Sequence, residues 1–395
     1  VRQLLQNYIT TQLHYCLTRQ NYPPHHLFFE RIEKQRMTHR FLNFLLAGLL
    51  GLSLASCGSD LTSNLTPTPA AFGKINSLYV IADSTLWLSG ARDSVAYFFE
   101  SPYIILPQPE PIFDVRHIEP IDLQKQPTLQ QLRNYIVLAD LSDTDSPTTE
   151  MVVQDLSDER IQQVKEEGFG TAVARNKWAT GQQLIYVMGR SESELLAGLS
   201  AAYPAVVKRI AERENERIKV TTYFQGVNRT LGERVRQKTG VMIDIPGGYA
   251  EVPVESDDFA WLRKQTKNGS LNIMATRIPY ESADQLSREG LKALRNRVGR
   301  EYFGTTLDST FMKINDKDLP LFVDATELNG AYALEGRGIW EMENDFLAGP
   351  FVSFLINDEK DRQLVLVDGF VLAPGRKKRE LMEELVQVLR TSVVQ

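Results

Sequence analysis

Met37 to Cys57 has the layout of a complete bacterial lipoprotein signal, and it fixes where the folding part of this chain can begin. A basic start (Met37, His39, Arg40) leads into an apolar run from Phe41 to Leu54, then into Leu54-Ala55-Ser56-Cys57. Small residues before a cysteine are what lipoprotein signal peptidase requires. A membrane span needs about 20 predominantly apolar residues, and the shorter run here, with Asn43 inside it, has the length of a signal core. It also lacks the polar face of an amphipathic soluble helix. The expected organisation is therefore residues 1–36 as a mis-set translation start, 37–56 as signal peptide, and a mature chain beginning at a lipidated Cys57. Gly58 follows the cysteine in place of the aspartate that retains lipoproteins at the inner membrane, so the expected address is the outer membrane, through palmitate-type acyl chains.

Composition matters most through what cleavage removes. Of 44 Lys+Arg and 50 Asp+Glu, six and two lie ahead of Cys57, leaving 38 basic and 48 acidic groups. That acidic balance argues against a nucleic-acid partner, whose binding rests on neutralising phosphates. Cys16 falls in the discarded leader and Cys57 takes the lipid, so no thiol remains for a disulfide, a nucleophile or a metal site. Only His117 survives among the five histidines. This excludes the usual multi-histidine zinc centre, and without a Gly-x-Ser-x-Gly elbow there is no basis for a serine triad. No metal and no cofactor is implied.

Gly58 to Gly73, rich in Ser, Thr, Pro and Ala, reads as a flexible tether. Beyond it, strand and helix patterns alternate. Leu78–Ala82 and Tyr135–Ala139 read as strands, Ser84–Phe99 as a helix, and 106–111 as a proline-rich extended connection. Thr171–Arg175 and Leu184–Met188, separated by a turn at Gly181, read as a hairpin. Ser191 caps a helix to about Arg217, with Glu194 as capping-box partner. In the second half Val220–Phe224, Val241–Ile245, Phe259–Arg263, Leu271–Thr276, Leu321–Asp324, Tyr332–Glu341, Phe351–Ile356 and Leu364–Val367 read as strands. Ala283–Tyr302 and Arg376–Arg390 read as helices. This predicts an α+β fold, with mixed or antiparallel sheets and helices packed on one face, in N-terminal (74–217) and C-terminal (218–395) domains. Strand followed by helix recurs three times, hinting at related subdomains.

Two clusters are candidates for binding. Arg376, Lys377, Lys378 and Arg379 place positive charge against the dipole at a predicted helix start, at a cost of about 0.3–1 kcal/mol per exposed group. Lys378 and Arg379 there could hold an anion or acidic partner, while the bland alternative is pairing with Glu380, Glu383 and Glu384. The second is Arg337-Gly338-Ile339-Trp340-Glu341-Met342-Glu343. Alternation along a strand puts Arg337 and Glu341 on one face and Trp340 on the other. An aromatic platform with carboxylates would suit glycan chemistry, which needs an acid and a base or nucleophile across the bond. Glu341 and Glu343, on one side of one strand, cannot be that pair, which leaves Asp324 or Asp345 as partners. A buried Trp340 and a locally paired Arg337 are the structural alternative.

Leu106-Pro107-Gln108, Glu110-Pro111, Lys177-Trp178-Ala179, Phe259-Ala260-Trp261-Leu262-Arg263, Arg337-Gly338, Trp340-Glu341, Gly349-Pro350-Phe351, Asp368-Gly369-Phe370-Val371 and Ala373-Pro374-Gly375, taken in order, resemble a Bacteroidota lipoprotein family catalogued as domain of unknown function 4837. The resemblance runs from about Lys74 to Arg390. It implies an envelope location and no particular reaction. Leu372 departs from it, standing where the family often has an aromatic residue. The sequence thus points to an envelope lipoprotein that binds or scaffolds an envelope protein or glycan, with a carboxylate-dependent hydrolase acting on envelope glycan or peptide as the alternative.

Overall fold

The computed structural model describes residues 68–394. The expected leader, signal segment and Cys57 lie outside the described residues. Order begins earlier than Lys74, the expected end of the tether. Ala71 is buried, and its N–H donates to the Thr180 carbonyl (2.8 Å) while the Phe72 N–H donates to Gln131 (2.9 Å). The last tether residues thus find backbone partners that composition alone does not show.

The N-terminal unit runs β1 (Ser77–Ile81), a helical stretch ending in α1 (Arg92–Phe99), β2 (Asp114–Ile118), α2 (Pro120–Lys125), β3 (Asn134–Asp140), α3 (Pro147–Asp155), α4 (Asp158–Glu167), β4 (Phe169–Arg175), β5 (Gln183–Gly189) and α5 (Glu192–Thr222). Its strands lie in the order β2-β1-β3-β5-β4. All neighbours are parallel except the antiparallel hairpin β4–β5. Leu78, Val80, Ile136 and Val187 face α1 and α5, while Tyr79, Ile81, Val137 and Met188 face α2, α3 and α4. Helices therefore cover both faces of this sheet, where one covered face was expected. The reason is in the strands: near-continuous apolar runs such as Tyr135–Ala139 must be buried on both sides.

The C-terminal unit runs α6 (Arg229–Thr239), β6 (Val241–Met242), β7 (Ala250–Glu251), β8 (Phe259–Thr266), β9 (Gly269–Pro279), α7 (Arg288–Tyr302), β10 (Phe311–Asn315), β11 (Phe322–Leu328), β12 (Ala331–Glu343), β13 (Ala348–Asp358), β14 (Gln363–Leu372), α8 (Arg379–Leu389) and β15 (Val393–Val394). An eight-stranded antiparallel sheet takes the order β10-β12-β13-β14-β9-β8-β7, with β11 paired to β12 beside β10. α6 and α8 pack on one face and α7 on the other. The α+β expectation holds. The two units do not share a topology, so the recurring strand-helix pattern is no internal duplication.

Two local differences have clear causes. Val220–Phe224 is the last turn of α5 and the turn after it rather than a strand. Its β-branched residues resemble a strand, but Ile218 and Thr222, one helical turn apart, are both buried, and that packing outweighs propensity. The final helix starts at Arg379, with Lys378 as its N-cap, so Arg376 and Lys377 precede it.

The units are strapped together by the proline-rich connection. Pro102 bridges Pro111, closing a loop that inserts Leu106 into the core of the C-terminal unit. Tyr103 packs against the cores of both units. The turn after α5 is tied down as well, by the Tyr223 hydroxyl donating to the Asp244 carbonyl (2.9 Å).

Candidate functional site

Between the units lies a cleft of about 1200 Å³. Its N-terminal wall is α5 together with Asn76, Arg133 and Gly181; its C-terminal wall comes from β11, β12 and α8. α5 and α8, which pack together, both line it, as do Tyr103, Ile104 and Ile112 of the strap.

On the C-terminal wall Glu335 and Arg337 share a face of β12. Glu335 accepts from Arg337 Nε (2.6 Å) and from Arg390 Nη2 (2.9 Å). Burial works to raise the Glu335 pKa, but the two arginines win and hold it below the usual range. Burial likewise opposes charge on Arg337, yet Glu335 and a hydrogen bond with Tyr103 hold that guanidinium firmly protonated. Burial followed by the charge of Glu335 raises Asp324, its cross-strand neighbour on β11.

Glu383, on α8, behaves in the opposite way from Glu335. Its oxygens accept from Asn76 Nδ2 at 2.7 and 2.9 Å. Burial pushes its pKa up to about 8, only partly offset by Arg379 and Asn76, while Glu380 and Glu214 add to the rise. At neutral pH it is largely protonated. Glu214, almost fully buried in α5, is satisfied instead: it accepts from the Asn76 N–H (2.8 Å), Asn134 Nδ2 (2.8 Å) and Arg217 Nη1 (2.7 Å).

The residues singled out from sequence are placed as follows. Arg337 does line the cleft. Trp340 is 1% exposed in the core, donating Nε1 to the Val371 carbonyl (3.3 Å), so it offers no platform to a ligand. Glu341 and Glu343 both pair with Lys313 on the neighbouring edge strand, and Asp345 sits beside a hairpin tip; Asp324 alone of the suggested carboxylates reaches the cleft. Lys378 and Arg379 are buried. The anion at the helix start is the chain's own Glu110, which accepts from the Lys378 N–H (2.6 Å) and the Arg379 N–H (3.3 Å), as free helix-terminal N–H groups favour. Arg379 reaches Asp114 Oδ2 (2.7 Å) and the Pro111 carbonyl. The strap is held by the two backbone N–H groups and the Arg379 side chain, while Lys378 Nζ turns back to donate to the Arg376 carbonyl (2.7 Å). His117 hydrogen-bonds through Nε2 with the Ala82 carbonyl (2.8 Å) and stacks on Trp87. Glu383, Glu335, Tyr103 and Arg133 were not found from sequence. Separated by up to 280 positions and set in ordinary charge patterns, they carry no local signal.

Among the described residues, no group of His, Cys, Asp and Glu could hold a metal ion, and no helix is long and apolar enough to cross a membrane. The chain is thus a two-unit α+β protein with a charged inter-unit cleft. Residues 228–391 match the family model described as Domain of unknown function (DUF4837), and residues 71–223 match a second, Domain of unknown function (DUF8532). The boundary between the two models falls in the turn after α5. No curated protein matches the chain. Similar solved structures include a mutant of protein Mog1 (13% identity, 39% of this chain and 90% of that one, TM-score 0.27) and the Ran-binding protein Mog1p of Saccharomyces cerevisiae (11%, 39% and 90%, TM-score 0.28). A STAR-related lipid transfer protein fragment from Xanthomonas axonopodis is a third (11%, 36% and 96%, TM-score 0.20). These likenesses are too distant to assign a common fold.

Proposed function

We propose that this protein is a cell-envelope lipoprotein, anchored in the outer membrane through a lipidated Cys57, and that the inter-unit cleft binds an envelope protein or glycan. The observation that carries the binding reading is the cleft. It is larger than the roughly 300–1,000 Å³ of small-molecule pockets, and charged side chains already fixed by protein partners line it. An extended polymeric ligand suits such a trough, and Leu54-Ala55-Ser56-Cys57 supplies the anchor. Metabolic labelling with a fatty-acid analogue should mark wild type and not Cys57→Ala; equal labelling of both would remove the lipoprotein half of the reading. Native mass spectrometry of protein purified from its own envelope should find a retained ligand, and Gln387→Trp, which obstructs the cleft, should lose it while melting normally. Retention by that variant would remove the cleft half.

One observation favours a second reading, hydrolysis of envelope glycan or peptide. Glu383 combines a partly buried carboxyl and a pKa of about 8, the state a general acid needs at neutral pH. On this reading Glu383→Gln abolishes turnover of purified peptidoglycan or its stem peptides. Undiminished turnover would sink it.

A further inference from the structure

Three arginines meet on the N-terminal wall of the cleft. Arg213 and Arg217 lie one turn apart on α5, and like charges at that spacing work against a helix. Arg213 donates Nη2 to the Gly181 carbonyl (2.9 Å). Arg133 comes from the adjoining loop, and a Cβ placed on Gly181 would stand 3.4 Å from its Nη1, so both guanidinium groups sit against the same glycine. Arg217 donates to Glu214 and to the Gly73 carbonyl (2.7 Å).

The charges here do not balance. Glu214 is the carboxylate buried among them, and Arg217, Asn76 and Asn134 already saturate it. Arg213 is held by a neutral carbonyl. Arg133 has a buried Nε with no hydrogen-bond partner among the described residues. Glu212 and Glu216, the other acids on this stretch of α5, are exposed. Burial and then the charge of Arg217 lower the Arg133 pKa; Glu214 offsets part of this and Arg213 adds to it, the net direction being down. A guanidinium N–H withdrawn from water without an acceptor is costly, Arg133 is otherwise half-exposed toward the cleft, and planar N–H forks match the oxygens of phosphate.

We infer that Arg133, Arg213 and Arg217 form a phosphate-binding subsite at the wall of the cleft, and that the ligand is a phosphate-bearing envelope glycan or glycolipid. This inference rests on the cleft being a ligand site and assigns the chemistry of what enters it. Arg133 and Arg213 contact the phosphate oxygens, while Arg217, tied to Glu214 and Gly73, completes the positive field. On the C-terminal wall Glu335 is already paired with Arg337 and Arg390 and Glu383 is held largely neutral, so that wall offers no competing cation for phosphate and leaves hydrogen-bonding groups for sugar hydroxyls.

Isothermal titration of the full chain with inorganic phosphate should show saturable binding that weakens as salt is raised. Arg133→Gln and Arg213→Gln should each weaken it about tenfold or more, the loss of one charge-assisted contact, without lowering the melting temperature. Lys313→Gln, on the far edge of the C-terminal sheet, should bind as wild type does. Binding of a sugar phosphate with undetectable binding of the uncharged sugar would support the assignment. Competition between phosphate and phosphatidylglycerol vesicles, absent with phosphatidylcholine vesicles, would identify a lipid-borne phosphate as the source; no competition would identify a soluble or glycan-borne one. Absence of saturable phosphate binding by wild type, or equal binding by wild type and Arg133→Gln, would overturn the subsite. A native ligand without phosphate, recovered from wild type and lost in Gln387→Trp, would overturn it while the cleft reading stood.

Discussion

Replacing Glu383 by Gln gives the sharpest test of the electrostatics of the cleft. The folded protein holds this carboxyl at about 8, against an ordinary value of 4.5. Between those values the native state binds a proton that the unfolded chain has released, so stability must fall as pH rises from about 4.5 to about 8. One step in pKa is worth 1.36 kcal/mol, which sets an upper limit of about 5 kcal/mol on the loss. The side chain keeps some solvent contact, and an effective dielectric near 20 fits such sites best; about half that limit, ~2–3 kcal/mol, is the expected effect. Gln is close in shape to the protonated acid and cannot ionise. Urea unfolding of wild type and Glu383→Gln at a series of pH values from 4 to 9 should therefore give curves that coincide near pH 4.5 and separate above it. The variant should be the more stable by ~2–3 kcal/mol at pH 9. Asp324, also raised, leaves a shallower slope of the same sign in both proteins. Glu335 and Asp114 are lowered and titrate below this window. Parallel curves across the whole range, or a variant less stable than wild type at pH 9, would refute the argument that burial controls this group.

Three further outcomes follow from the packing. Arg379→Met should lower stability by ~2–3 kcal/mol in urea, less than the 3–5 typical of a broken buried pair because Asp114 is partly exposed. In wild type burial works to raise Asp114, but Arg379 wins and depresses it, so the contribution of this pair is present above 3.8 and lost as pH falls through the depressed value; the variant should lack that acid sensitivity. Gly198→Ala would put a methyl 1.9 Å from the Phe169 ring, and a drop of about 1–3 kcal/mol by thermal melting is expected for such overpacking. A chain beginning at Lys74 should be less stable than one beginning at Gly58 by ~2–4 kcal/mol, at about 1 kcal/mol for each lost hydrogen bond, since it lacks the bonds of residues 69–73 to Thr180, Gln131 and Arg217; equal melting would mean those bonds contribute nothing.

Local patterns in the chain determined most of its elements. Apolar runs such as Leu78–Ala82 and Leu184–Met188 have the length and β-branched content of strands, and Ser191 with Glu194 marks a helix start; the structure has strands and a helix there. Helices α3 and α4 were not among the expected elements, although Ser146-Pro147, Ser157 and Gly168 mark their ends with side-chain caps and a left-handed glycine. What tertiary structure alone decided was the meaning of the charged residues. Arg379 reads from sequence as a surface cation awaiting a partner, and becomes a buried clamp because Glu110 and Asp114, more than 260 positions away, are folded against it. Trp340 reads as a platform and becomes core because Phe370 and Val371 of β14, two strands along in the same sheet, pack against it. Glu383, unremarkable beside Glu380 and Glu384, acquires its high pKa only where the N-terminal unit removes water from it. Hydrophobic periodicity is set by near neighbours along the chain and is legible in their order; the state of a charge is set by burial and by whichever opposite charge lies within a few ångströms, and those neighbours exist only once distant segments have met.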